Sequence, residues 1–156
     1  MGWTQPSLIK TQLEAVDSSQ VITTLGTLLF DQGYVRETFI QAVLEREKIF
    51  ATGLPTVDIQ VAIPHADVEH VLHSAIAIGV PVQPVLFGEM GNPDGTVQAR
   101  IVFMLAVKES DSLVSLLQNL VGIFQDSSFL RQMLETEDRE AMAALFNARL
   151  PSYQEA

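Results

Sequence analysis

The sequence predicts an α/β fold in which a mixed β-sheet lies between layers of helices. Apolar residues recur at helical spacing in the first third of the chain and again after residue 110. Short runs rich in Val and Ile, bounded by Pro, Gly, Asn and Asp, occupy the middle and are typical of buried strands. The chain has 156 residues, 47% of them hydrophobic, which is enough for one core. We therefore expect a single domain over residues 1–156, with its core at about 20–150.

The first two predicted elements are helices. Ser18 and Ser19 precede an apolar-periodic run at residues 21–29 and are expected to cap the first helix. Gly33 suits the left-handed residue that follows a helix. A second helix is expected at about residues 37–50, with Phe and Ile on one side and charged residues on the other.

The middle and last parts of the chain complete the predicted order. Buried strands are expected at residues 61–63, 75–78 and 100–107, with a turn at residues 92–95, where Pro and Gly set the backbone angles. Helical periodicity then returns, and either Ser110 or Asp111 is expected to cap a helix. Two shorter helices are predicted at about residues 128–134 and 138–150.

Charge and composition exclude several classes of function. The net charge of −10 argues against nucleic acid and anionic membranes, since both are bound through Lys and Arg. The absence of cysteine excludes disulfides, zinc–thiolate sites and a thiol nucleophile. The first ten residues lack a basic region followed by an apolar one, and no apolar run approaches the roughly 20 residues that span a bilayer. We therefore expect a soluble, cytoplasmic protein.

The three histidines of the chain, His65, His70 and His73, lie within nine positions of one another. His65 directly follows a predicted strand, and Pro64 stiffens the backbone before it. The ends of buried strands are where α/β proteins place reactive groups. A neutral imidazole held there is nucleophilic near pH 7 and suits reversible phosphorylation. The alternative is a purely structural histidine.

A phosphoryl group in transfer needs positive charge or hydrogen-bond donors around it. The candidate cations are Arg46 and Lys48 on the second helix, with Arg100 and Lys108 near the last strand. Arginine is the better phosphate partner because its planar fork donates two hydrogen bonds at once. No nucleotide-binding motif is present, so the phosphoryl group must arrive on a partner protein. Alternatively, Arg46 belongs to an ordinary solvated helix face.

Metal binding is a competing interpretation of the histidine segment. It contains five residues of metal-binding type: His65, Asp67, Glu69, His70 and His73. Their spacing matches no known ligand motif, which makes this the weaker alternative.

Several segments together resemble the fructose–mannitol class of Enzyme IIA domains of sugar phosphotransferase systems. They are LEREK at 44–48, TGLP at 52–55 and VAIPHA at 61–66, with GYV at 33–35 and RIVFMLAVK at 100–108. The resemblance extends over about residues 20–150. It implies the phosphotransferase/anion-transport-like sandwich, with no metal or organic cofactor. His65 matches the phosphorylated histidine of the family, and Arg46 matches an arginine that stabilises the phosphate.

The resemblance also implies partners. The phosphocarrier protein HPr would donate the phosphoryl group, and a IIB domain would accept it and pass it to sugar entering through a membrane IIC component. Mannitol- and nitrogen-type members carry a second histidine where this chain has Ser112, whose hydroxyl or N–H is expected to donate to the phosphate instead. In this respect the chain is most similar to the galactitol-type subgroup.

The alternative function is that of a regulatory binding module on the same fold, whose phosphorylation state a partner senses. We also expect Ala66, Val68 and Phe87 to form an apolar rim that partners cover.

Overall fold

A computed structural model describes residues 2–151, which form a six-stranded mixed sheet and five α-helices. The strands are β1 (Ile9–Leu13), β2 (Gly53–Leu54), β3 (Gln60–Ala62), β4 (Ala75–Pro81), β5 (Val85–Glu89) and β6 (Asn92–Ala106). The helices are α1 (Ser18–Asp31), α2 (Phe39–Ile49), α3 (Ser110–Ile123), α4 (Ser127–Glu135) and α5 (Arg139–Asn147). Short 3₁₀ turns occupy Pro6–Leu8 and Val68–His70.

The sheet separates two hydrophobic layers, as the predicted sandwich requires. Successive residues of a strand point to opposite faces. In β6, Phe103 and Leu105 therefore pack with residues of α3, α4 and α5 on one face. Val102 and Met104 pack with residues of α1 and α2 on the other. The prediction of a mixed sheet between helical layers is confirmed.

The strand order is β1-β4-β6-β3-β2-β5, and the long strand β6 organises it. The second half of β6 pairs antiparallel with β4 and parallel with β3. Its first half pairs antiparallel with β5, which in turn meets β2 where Gly53 lies opposite Glu89. This folding of β5 against β2 brings the β5–β6 hairpin close to the end of α2.

The hairpin turn lies at a different place from the predicted one. β5 ends at Glu89, which pairs with Asn92, so the turn is formed by Met90 and Gly91. Gly91 has a φ of 76°, a left-handed conformation that glycine adopts readily at the second central residue of a turn. The prediction of a turn at residues 92–95 was wrong because β5 was not foreseen, and that segment is the start of β6 instead.

Two predicted helix caps were also wrong. Asp17, rather than Ser18 or Ser19, caps α1, and its carboxylate accepts from the N–H of Gln20 at 2.9 Å. Glu109 precedes α3 and makes no side-chain capping bond, so neither Ser110 nor Asp111 is the cap. The left-handed residue after α1 is confirmed, because Gly33 has a φ of 83°. No helix within residues 2–151 is long and apolar enough to cross a membrane.

Candidate functional site

The backbone of β3 and β6 fixes the position of His65. His65 follows β3 and forms a parallel bridge with Leu105 of β6, whose N–H donates to the carbonyl of Pro64 at 3.0 Å. The side chain is only 5% exposed. Its Nδ1 lies 2.9 Å from the carbonyl oxygen of Ile63, two residues back along the same turn. The predicted strand-end histidine is therefore held by main-chain contacts on both sides.

The contact with Ile63 determines the chemistry of the ring. A carbonyl oxygen only accepts hydrogen bonds, so Nδ1 carries the proton and Nε2 keeps its lone pair in the neutral form. Burial lowers the pKa of His65 below 6.5, and the nearby charge of Arg46 lowers it further. The Ile63 carbonyl and the charge of Asp67 act in the opposite direction without reversing the shift. The ring is therefore neutral, with a free Nε2, at pH 7.

Arg46 lies in the last turn of α2 and lines the same cavity as His65, which has a volume of about 620 Å³. Its guanidinium carbon is 5.0 Å from the centre of the Phe50 ring. Its Nε atom is buried and has no hydrogen-bond partner among the described residues. A buried donor without an acceptor is rare in proteins, and a water molecule or a bound anion can supply the missing acceptor. The alternative of a solvated helix face does not fit this buried donor.

The cavity has a mouth lined by apolar side chains other than the predicted ones. Ile49, Phe50 and Met90 line it and are 74%, 58% and 38% exposed. Ala66 and Phe87 are instead buried in the layer that packs against α1 and α2. The predicted rim was wrong for Ala66 and Phe87 because those two side chains point into the core, and Val68 is half-buried and does not line the cavity.

Glu47 also lines the cavity, and its role was not predicted. Its two carboxylate oxygens accept from the N–H and the hydroxyl of Thr52, both at 2.8 Å. Burial raises the pKa of Glu47 from 4.5 to about 7, although the bonds from Thr52 and the charge of Arg46 oppose the rise. The signal available in the sequence was an acidic residue directly after the candidate arginine.

Of the other predicted site residues, one lies at the edge of the cavity and the rest do not line it. Ser112 is exposed in the first turn of α3 and does not line the cavity, which α3 reaches through Leu117 instead. Its predicted donation to a phosphate is therefore unsupported. Lys48 lies at the exposed edge of the cavity. Arg100 and Lys108, two of the predicted cations, are exposed and outside it.

The histidine segment does not bring its histidine and acidic side chains together in the part of the chain that the structure describes. The side chain of His70 turns away to Thr38, whose hydroxyl oxygen lies 2.7 Å from its Nδ1. Within residues 2–151, no three histidine or acidic side chains are grouped so that they could hold a metal ion. The geometry thus gives no support to the metal-binding alternative for His65, Asp67, Glu69, His70 and His73.

Comparison with known protein families and sequences gives a consistent result. Residues 3–149 match the family described as phosphoenolpyruvate-dependent sugar phosphotransferase system, EIIA 2. The galactitol-specific EIIA component of Escherichia coli K12 is 30% identical over 135 residues, which are 85% of this chain and 89% of that protein. The transcriptional regulator ManR of Bacillus subtilis is 33% identical over 144 residues, which cover 91% of this chain. The chain spans only 20% of the length of ManR.

Solved structures share the fold. The complex of enzyme IIAMtl with phosphorylated enzyme IIBMtl from Escherichia coli contains a chain that superposes with a TM-score of 0.71 and 25% identity. The match covers 90% of this chain and 94% of that one. A crystal structure described as a PTS IIA from Streptococcus mutans superposes with a TM-score of 0.75 at 20% identity, covering 93% of this chain and 90% of that one.

Proposed function

This chain belongs to the EIIA 2 family of the phosphoenolpyruvate-dependent sugar phosphotransferase system, and on that premise we propose that it carries phosphoryl groups on His65. One observation supports the site above all others. The neutral His65 ring, with its proton on Nδ1, lines the same cavity as a buried Arg46 donor that has no hydrogen-bond partner among residues 2–151. The cavity thus combines a nucleophile with a group that stabilises negative charge.

The transfer step follows from these two groups. The Nε2 lone pair of His65 attacks the phosphorus of a phosphorylated donor, and a P–N bond forms as the bond from phosphorus to the donor breaks. No proton needs to leave Nε2, because the ring proton is on Nδ1 and the Ile63 carbonyl accepts from it. The Arg46 guanidinium donates to the phosphoryl oxygens as charge spreads over them. Attack on the same phosphorus by an acceptor reverses these steps and frees the ring.

HPr is the proposed phosphoryl donor and a IIB domain the proposed acceptor, with the membrane IIC component reached only through IIB. The similarity to a galactitol-specific component over 89% of its length favours a polyol of the galactitol type. We place the chain in the cytoplasm with these partners and take residues 1–156 as one EIIA domain, for which neither a metal nor an organic cofactor is proposed.

A regulatory role is the second candidate function, and the 33% identity to ManR favours it. In that case the phosphorylation state of His65 would be read by another protein rather than passed to sugar. The two functions differ in one measurable step. A carrier loses its phosphoryl group rapidly to a IIB domain, whereas a purely regulatory module retains it.

Intact-mass spectrometry tests the assignment of His65. The chain is incubated with phosphoenolpyruvate, Enzyme I and HPr at neutral to alkaline pH, and one added phosphoryl group is expected. His65→Ala should take none, whereas His70→Ala, which removes a histidine outside the cavity, should be phosphorylated like the wild type. Phosphorylation retained in His65→Ala, or lost in His70→Ala, would contradict the assignment.

A further inference from the structure

We infer that Glu47 is a positioning residue for phosphoryl acceptance, because its carboxylate holds Thr52 and Thr52 holds the main chain that bonds the His65 ring. The inference rests on the proposed function of His65. It concerns three consecutive contacts that lead from the end of α2 to the imidazole, and the first of them, between Glu47 and Thr52, can be removed by substitution.

The first contact joins α2 to the segment that follows it. Glu47 is five residues before Thr52 and accepts from both its N–H and its hydroxyl, each at 2.8 Å. One carboxylate therefore fixes the backbone and the side chain of Thr52 at the same time. Thr52 is only 2% exposed, so few water molecules are available to replace these bonds.

The second and third contacts join Thr52 to the histidine. The carbonyl of Thr52 accepts from the N–H of Ile63 at 3.3 Å, and the carbonyl of Ile63 accepts from Nδ1 of His65 at 2.9 Å. The same register continues in the sheet, where Gly53 pairs with Ala62. The orientation of the carbonyl that determines the tautomer of His65 therefore depends on where Glu47 holds Thr52.

Direct phosphate binding does not explain Glu47. Both carboxylate oxygens of Glu47 already accept hydrogen bonds from Thr52, and its ionised form repels the negative oxygens of a phosphoryl group, although it lines the cavity beside Arg46. Burial raises its pKa to about 7, so the protein keeps an acid here at the expense of stability. The bonds to Thr52 account for its presence, and they act on the nucleophile rather than on the phosphate.

Two readouts separate positioning of His65 from simple support of the loop. The first is the ¹⁵N NMR spectrum of the His65 ring in the unphosphorylated protein, which reports the tautomer. The second is the single-turnover rate of transfer from phosphorylated HPr. Glu47→Gln leaves one acceptor oxygen for two donors, and Thr52→Val removes the hydroxyl while preserving the side-chain shape.

We expect both variants to shift His65 from the Nδ1–H tautomer toward a mixture of tautomers. Transfer should slow by about 10- to 100-fold, the range found when groups that orient metal-bound histidines are removed. Thr52→Ser keeps the hydroxyl and should retain both properties. Glu45→Gln is the matched control, because Glu45 is an exposed carboxylate of the same helix that does not line the cavity.

If Glu47→Gln and Thr52→Val fold and their His65 ring keeps the wild-type tautomer, the inference is overturned, whatever their rates of phosphoryl transfer. If Glu47→Gln does not fold, the comparison of Thr52→Val with Thr52→Ser decides in the same way. A wild-type chain that takes no phosphoryl group would instead contradict the proposed function. The tautomer data would then still decide whether Glu47 positions His65.

Discussion

Replacing Glu47 by glutamine is expected to change how the free energy of unfolding depends on pH. The pKa of Glu47 is 4.5 in its ordinary state and about 7 in the folded protein, where burial disfavours the charge. Between these two values the folded chain holds a proton that the unfolded chain has lost, so stability falls as pH rises. At about 1.36 kcal/mol for each unit of pH, the interval corresponds to roughly 3 kcal/mol. Glutamine does not titrate, so the variant does not lose this part of its unfolding free energy as the pH rises.

The quantity to measure is the difference in unfolding free energy between Glu47→Gln and the wild type, from urea titrations at several pH values. We expect it to move in favour of the variant by roughly 3 kcal/mol from about pH 4 to about pH 8. His65 titrates in the opposite sense, because its lowered pKa makes stability rise with pH, and only the part of its contribution that Glu47→Gln alters enters the difference. The loss of a hydrogen bond to Thr52 changes the unfolding free energy of the variant by the same amount at every pH, so it does not alter how the difference depends on pH.

The control for this series is again Glu45→Gln, which removes an exposed carboxylate of α2. Its unfolding free energy should stay within about 0.5 kcal/mol of the wild type throughout, as is usual for surface substitutions. A Glu47→Gln difference that is equally flat across the pH range would refute the reasoning, since it would mean that folding leaves the pKa of Glu47 unchanged.

Four further outcomes are expected. Arg46→Ala should slow phosphoryl transfer by roughly 10- to 100-fold, the equivalent of about 1.5–3 kcal/mol for a charge-assisted hydrogen bond; an unchanged single-turnover rate would return Arg46 to the solvated helix face. In Glu47→Gln, which lacks the cavity carboxyl that titrates near pH 7, the initial rate of phosphorylation should be constant above pH 6.5 and fall only below it, because the lowered pKa keeps His65 neutral; a fall beginning above pH 6.5 in that variant would contradict this reasoning. Gly53→Ala places a Cβ 2.5 Å from a backbone oxygen of the neighbouring strand and should lower the unfolding free energy by about 1–3 kcal/mol. Gly122 lies in a helix with open space around it, so Gly122→Ala should raise the unfolding free energy by up to about 1 kcal/mol. Asp17→Ala removes the cap of α1 and should cost about 1 kcal/mol in urea unfolding.

The parts of the fold that the sequence predicts are those with a strong local signal. The strands at residues 75–81 and 92–106 contain continuous apolar runs because both of their faces are buried. β2 has two residues and β5 has five of mixed burial, so neither has a pattern long enough to identify. Without β5, the position of the hairpin turn was predicted wrongly.

The site was predictable to a different degree. The position of His65 at a strand end and its pairing with Arg46 were both expected, and the structure places the two residues on one cavity. The contact of Glu47 with Thr52 was not foreseen, because a separation of five residues is not a helical pair and the bond forms only when the chain turns back after α2. In the sequence, Glu47 is one of four alternating charges that look like an ordinary solvated face.

Two titratable side chains that line the cavity, His65 and Glu47, show why Glu47 is retained. Burial favours the neutral form of both side chains. This favours the reaction at His65, because the neutral ring is the nucleophile. At Glu47 the same burial makes the ionised form unfavourable. A neutral residue at position 47 would be more stable near pH 8, yet an uncharged side chain cannot accept two hydrogen bonds from Thr52 as strongly as a carboxylate does. Local rules are commonly broken where function requires it. A gain in stability together with a slower transfer in the same Glu47→Gln protein is therefore the combined result that a positioning role requires.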